Sequence, residues 1–141
     1  MIMRPARLSD AASIAGLSTQ LGYPSRPEET EGRLRDVLDR PDGAVLVAEE
    51  EGTVVGWLQV VGSHTIDSEP CALIAGLVVD EARRNRGIGA ALVEAAVEWA
   101  AGHGYGAIRV RSNVIRERAH AFYERLGFSP VKNQVVLTRS T

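Results

Sequence analysis

Cysteine is nearly absent. The chain has one, Cys71, so no disulfide can close within it, which fits a reducing compartment. Long apolar runs are lacking too. None approaches the ~20 residues that span a bilayer, and the opening Met1-Ile2-Met3-Arg4-Pro5 has no apolar stretch of the secretory kind. A soluble, cytoplasmic protein is therefore expected. Neither sign of charge is in large excess. A net charge of −2 over 141 residues gives no basic field to hold nucleic acid, although Arg83, Arg84 and Arg86 cluster into a local anion-binding candidate. Repeats, low-complexity tracts and Pro/Gly/Ser linkers are missing as well. With 45% hydrophobic and 24% charged residues, the chain reads as a single globular domain over residues 1–141.

What is there is a succession of short periodic segments. Ile2 to Arg7 reads as a strand. Ser9 or Asp10 is placed to cap a helix carrying Ile14, Leu17 and Leu21, which Gly22 stops. Pro27 suits the first position of a second helix, with Glu28 and Glu29 at its positive end and Leu34, Val37 and Leu38 as its apolar stripe. Ala44–Ala48 and Thr53–Val61 read as strands joined by a tight hairpin at Glu51-Gly52. The acidic run Glu49-Glu50-Glu51 reads as a solvated tip. Ala72–Val79 is continuously apolar, as a strand buried on both faces would be. Ile88, Leu92, Ala96 and Trp99 mark a long helix ending near Gly102 or Gly104. Ala107–Arg111 reads as a strand; Ala119, Phe122, Tyr123 and Leu126 mark a last helix, and Gln134–Thr138 a final strand. The order βααβββαβαβ predicts an α/β layered domain.

The segment that carries chemistry follows the apolar strand. Gly76-Leu77-Val78-Val79-Asp80 runs into Arg83-Arg84-Asn85-Arg86-Gly87-Ile88-Gly89-Ala90, where a loop turns directly into a helix. Glycines at 87 and 89 remove side chains from between backbone N–H groups and a ligand. The first turn of a helix offers unpaired donors and partial positive charge, which together make a pyrophosphate cradle. Arg84 and Arg86 add candidate ion pairs. The same glycines also suit a plain helix start with a flexible lead-in. A dinucleotide loop fits poorly, because Leu92 replaces the third glycine of G-x-G-x-x-G. A Walker A loop is excluded, because no Gly-Lys-Ser/Thr follows.

Arg84-Asn85-Arg86-Gly87-Ile88-Gly89 resembles the Arg/Gln-x-x-Gly-x-Gly/Ala signature of the GNAT superfamily of N-acetyltransferases. Asn113 and the run from Arg118 through Ala119, Phe122 and Tyr123 to Gly127-Phe128 resemble that superfamily's later motif, at the right separation. The resemblance implies a GNAT-like fold, a mixed, mostly antiparallel sheet flanked by helices on both faces. It implies transfer of an acetyl group from acetyl-CoA to a primary amine. The backbone of Leu77, Val78 and Val79 would pair with the pantetheine arm, and Arg84 to Ala90 would hold the pyrophosphate. Asn113 would hydrogen-bond the pantetheine amides, and Tyr123 would protonate the leaving thiolate. The resemblance implies no metal centre. It points to a small-molecule or peptide acceptor, and homodimers are common among the proteins that this chain resembles; the charge and the short apolar runs predict no nucleic-acid or membrane partner.

The general base stays open. Leu73 and Ala75 occupy the strand positions where some relatives carry a glutamate, and neither accepts a proton. Glu69, Asp67 and His64 are the nearby alternatives, beside a water chain. His103 and His120 read as outside the site, and Cys71 as an inert strand residue. Tyr23 and Trp57 are candidate walls of the acceptor pocket, and each equally suits plain packing. An acyl-CoA-binding sensor with little turnover is the rival reading.

Overall fold

The computed structural model describes residues 1–112 and 116–141. They form two compact units, Met1–Val110 and Arg111–Thr141.

The first unit holds β1 (Ile2–Pro5), a 3-10 turn (Leu8–Asp10), α1 (Ala11–Gln20), α2 (Pro27–Leu38), β2 (Gly43–Glu50), β3 (Thr53–Ser63), β4 (Cys71–Val79), α3 (Ile88–Gly102) and β5 (Ile108–Val110). The sheet runs in chain order from β1 to β5. Every neighbouring pair is antiparallel except β4 and β5, which run parallel. Glu51 and Gly52 join β2 to β3 with φ of +48° and +78°, the left-handed pair that a two-residue hairpin needs.

One sheet face packs under α1 and α2. Val45, Val47 and Val78 meet Ile14, Leu17 and Leu34 there, with Trp57 half-buried against them. The other face packs under α3, whose Ile88 and Leu92 are 1% and 0% exposed. Gly56 permits that approach: a Cβ there would lie 3.1 Å from Leu92 and 3.4 Å from Ile88. Helices on both faces of a mostly antiparallel mixed sheet are the architecture expected.

Three local expectations need correction. Asp10 does not cap α1. Its carboxylate accepts the Arg7 N–H at 2.7 Å and two Arg4 guanidinium bonds at 2.8 and 2.9 Å, because a nearby cation outcompetes a helix amide for the same oxygens. Nor is the acidic run a solvated tip throughout: Glu49 pairs with Arg4 and Glu50 with Arg83, each at 3.3 Å. In the second unit, α4 (Glu117–Arg125) ends near Gly127 as its sequence suggests. Gln134–Thr138, however, forms no strand, and Val135, Val136 and Leu137 are 83–87% exposed. A strand-like composition is completed only by a partner edge, which composition cannot supply.

Candidate active site

The site begins with a defect in the sheet. Opposite β3, Gln59 pairs with Gly76 but Val60 pairs with Ile74, so Ala75 is an extra residue in β4. Such a bulge bends its strand and breaks the ladder. β4 pairs with β5 only through Ala72, Leu73 and Ile74. From Ala75 to Val79 it pairs with β3 alone among the described residues. That stretch therefore presents an open backbone edge, to which an extended ligand can add as a strand would. Leu77, Val78 and Val79 lie on it, with their side chains packed or half-packed.

β4 then runs straight into the glycine loop. The Asp80 carboxylate accepts the Ala82 N–H at 3.1 Å and the Arg83 guanidinium at 2.7 Å. The backbone bond in particular holds its pKa below the ordinary range. Arg83 also reaches Glu50 on β2, and Gln20 at the end of α1 accepts the Glu81 N–H at 3.1 Å. These contacts fix the loop from three sides. Asn85 and Gly87 both take left-handed backbone, φ +65° and +80°. The first helical bond of α3 is Ala91 N–H to Gly87 O, so the N–H groups of Ile88, Gly89 and Ala90 have no acceptor within the helix. Arg84 and Arg86 are exposed and form no ion pair among the described residues. The basic cluster thus divides: Arg83 braces the loop, while Arg84 and Arg86 are available to an anion beside the free amides.

In the second unit, Tyr123 sits on α4 between Phe122 and Phe128, edge-on to both at 5.0 and 5.5 Å. Removal from water raises the pKa of its phenol, against a smaller lowering by Arg116. Its hydroxyl is therefore kept in the proton-bearing form. Asn113 lies outside the described residues.

The candidate bases gather elsewhere. His64, Asp67 and Glu69 belong to the connection between β3 and β4, where Ser63 pairs with Cys71. The bulge is four residues further on, about 13 Å along the strand. His64 Nε2 is occupied there, 3.0 Å from Asp42 Oδ2 and 2.9 Å from the Tyr105 hydroxyl. Asp67 and Glu69 are exposed. His103 stacks on Trp99 at 4.2 Å and bonds its carbonyl at the end of α3. Tyr23 is 62% exposed in the α1–α2 connection. Among the described residues, no cluster of His, Cys, Asp and Glu could hold a metal, and no helix is long and apolar enough to cross a membrane. Gln20 and Glu50 are the supporting residues that sequence reasoning missed. They reach the loop from α1 and β2, so local spacing holds no signal for them.

Residues 12–128 match the model of the acetyltransferase (GNAT) family. The chain belongs to this family. A relative from Bacillus subtilis (strain 168), the uncharacterized N-acetyltransferase YhfO, is 27% identical over 133 residues, covering 91% of this chain and 89% of that protein. A protein from Bacillus halodurans C-125 described as a transcriptional regulator superposes with a TM-score of 0.87 at 25% identity, covering 98% and 99% of the two chains. An aminoglycoside N-acetyltransferase in complex with CoA superposes with a TM-score of 0.85 over 99% of this chain and 100% of its own, at 18% identity, a likeness of fold. Members of the GNAT family use acetyl-CoA, and N-acetyltransferase chemistry holds here at the level of the family.

Proposed function

We propose that this GNAT chain transfers an acetyl group from acetyl-CoA to a primary amine by direct attack within a ternary complex. The observation that carries the reading is the continuity of the open β4 edge with the free amides at the start of α3. An extended amide-bearing arm suits the edge, and a pyrophosphate suits the glycine turn. In this reading the edge at Leu77, Val78 and Val79 aligns the pantetheine. Arg84, Asn85, Arg86, Gly87, Ile88, Gly89 and Ala90 hold the phosphates, and Asn113 bonds the pantetheine amides.

Chemistry follows from these roles. The neutral amine attacks the thioester carbon, and a C–N bond forms as the C–S bond breaks. A strand N–H near Leu77 stabilises the oxyanion. Tyr123 gives its proton to the departing sulfur. The amine's proton passes to water, because Leu73 and Ala75 accept none and the loop bases stand at the far end of β4. No nucleophile for a covalent intermediate is evident. The family model spans both compact units, which supports treating residues 1–141 as one domain. The acceptor is a small-molecule or peptide amine, and the setting is the cytoplasm.

A second reading, an acyl-CoA sensor with little turnover, draws on the regulator among the similar structures and on the absence of a carboxylate at Leu73 and Ala75. Titration calorimetry with acetyl-CoA separates the readings from their failure. Wild type should bind in the micromolar range. Gly87→Glu, which forces a side chain and a negative charge into left-handed backbone at the cradle, should fold and not bind. Binding without turnover across a panel of amines would favour the sensor. No binding to wild type would overturn both.

A further inference from the structure

Trp57 lies in the middle of β3, opposite Val47 on β2 and Val78 on β4. Its ring does not stay over its own strand. A Cβ at Gly76 would lie 2.8 Å from the indole Cη2 and 2.9 Å from Cζ3. Neighbouring strands are about 4.8 Å apart. The ring therefore crosses from β3 and ends over β4, beside the bulge at Ala75 where β4 parts from β5.

Two features separate this contact from ordinary packing. Gly76 is absent from the positive-φ residues, so its backbone does not require glycine. The requirement is space, because the ring occupies the place of any side chain there. The indole Nε1 is also buried with no hydrogen-bond partner among the described residues. An orphaned buried N–H opposes stability, and phenylalanine would avoid it. The fold alone is thus better served by a smaller apolar ring, and the full reach of tryptophan needs another reason.

We infer that Trp57 sets the acyl-chain length: its ring over Gly76 closes the space beyond the thioester and restricts transfer to short acyl groups. The inference rests on the proposed use of the β4 edge by acyl-CoA, with the thioester near Leu77, one residue from Gly76. A longer chain has two faces of the sheet to grow along. The α3 face is closed by fully buried Ile88 and Leu92. The other holds the Trp57 ring, whose removal frees the space over Gly76 without cutting into the packing under α3.

The test compares Kd for free CoA, acetyl-CoA and hexanoyl-CoA by calorimetry in wild type, Trp57→Ala and Trp57→Phe. Wild type should bind hexanoyl-CoA at least ~10-fold more weakly than acetyl-CoA, since a few methylenes denied a pocket are worth that or more. Trp57→Ala should erase the difference, and Trp57→Phe should reduce it, while Kd for free CoA stays within about twofold. Trp57→Phe keeps the packing and serves if the alanine variant fails to fold. An unchanged hexanoyl-to-acetyl ratio in a folded variant overturns the inference. So does equal weakening of all three ligands, which would make the residue structural. Failure of wild type to bind free CoA would instead defeat the acyl-CoA reading itself.

Discussion

Tyr123 shows what one residue's surroundings add to its name. Its place in the sequence, aligned with Ala119, Phe122 and Leu126 at helical spacing, suits a packing role as well as an acid. The structure adds Phe122 and Phe128 on either side and a phenol pKa raised by removal from water. A proton donor must still hold its proton when sulfur departs; an ordinary phenol, with a pKa of ~10, does so at neutral pH, and the raised pKa extends this further into alkali. Tyr123→Phe should therefore lower kcat by about 100-fold and leave Kd for acetyl-CoA within about twofold. Steady-state kinetics beside calorimetry will separate the two. Equal loss of turnover and affinity would make the tyrosine a packing residue. Other residues were less legible. Gly87 announces its left-handed turn by being glycine, but Asn85 adopts φ +65° without such a signal. Arg83, Arg84 and Arg86 read alike until Asp80 and Glu50 claim the first.

At the scale of elements, legibility followed the range of the interactions involved. The apolar run of β4, the start of α2 at Pro27 with Glu28 and Glu29 in its first turn, and the Glu51-Gly52 hairpin depend on near neighbours and were readable. The bulge at Ala75 depends on how β4 meets β3, and a continuous apolar run conceals it. The connection between α3 and β5 also gained a partner unseen in sequence. Tyr105 donates to both Asp42 carboxylate oxygens, at 2.5 and 2.7 Å, across 63 residues. The contact ties the start of β2 to the approach to β5, at the end of the sheet away from the open edge. The hydrogen bond to Asp42, with burial and the carboxylate's charge, pushes the Tyr105 pKa up to about 12. Asp42→Asn should return it towards the ordinary ~10. Phenolate absorbance during an alkaline titration reads this directly. A phenol that ionises at the same pH in both proteins would mean that the pair does not persist in solution.

For the whole molecule, the bonds that hold these elements together set the range of pH over which it stays folded. Among the described residues, Asp10, Glu29, Asp42 and Asp80 are held below the ordinary carboxylate range. Each contributes stability that is fully present above its unfolded value near ~4 and is lost as pH falls through its depressed folded value. Tyr105 and Tyr123 are raised. Their contribution is present below ~10 and is lost as pH climbs through their folded values. Stability should therefore form a plateau with a steep acid limb and a shallower alkaline one. The acid limb belongs mainly to Asp10, which is 7% exposed, whereas Glu29 and Asp42 meet water and are screened. Its carboxyl is held down first by the Arg4 guanidinium and then by the Arg7 amide, and Arg4 is itself 13% exposed. Asp10→Asn leaves that guanidinium with Glu49 as its one acidic partner among the described residues, at 3.3 Å, beside the Pro5 carbonyl at 3.1 Å, and should cost about 3 kcal/mol at neutral pH. The loss should shrink towards zero as acid removes the wild-type carboxylate. Urea unfolding followed from pH 7 down to pH ~2.5 should thus show the two proteins converging. Parallel curves separated by a constant gap would mean that Asp10 acts through its shape and neutral hydrogen bonds, and that the charge of the Arg4 pair contributes little.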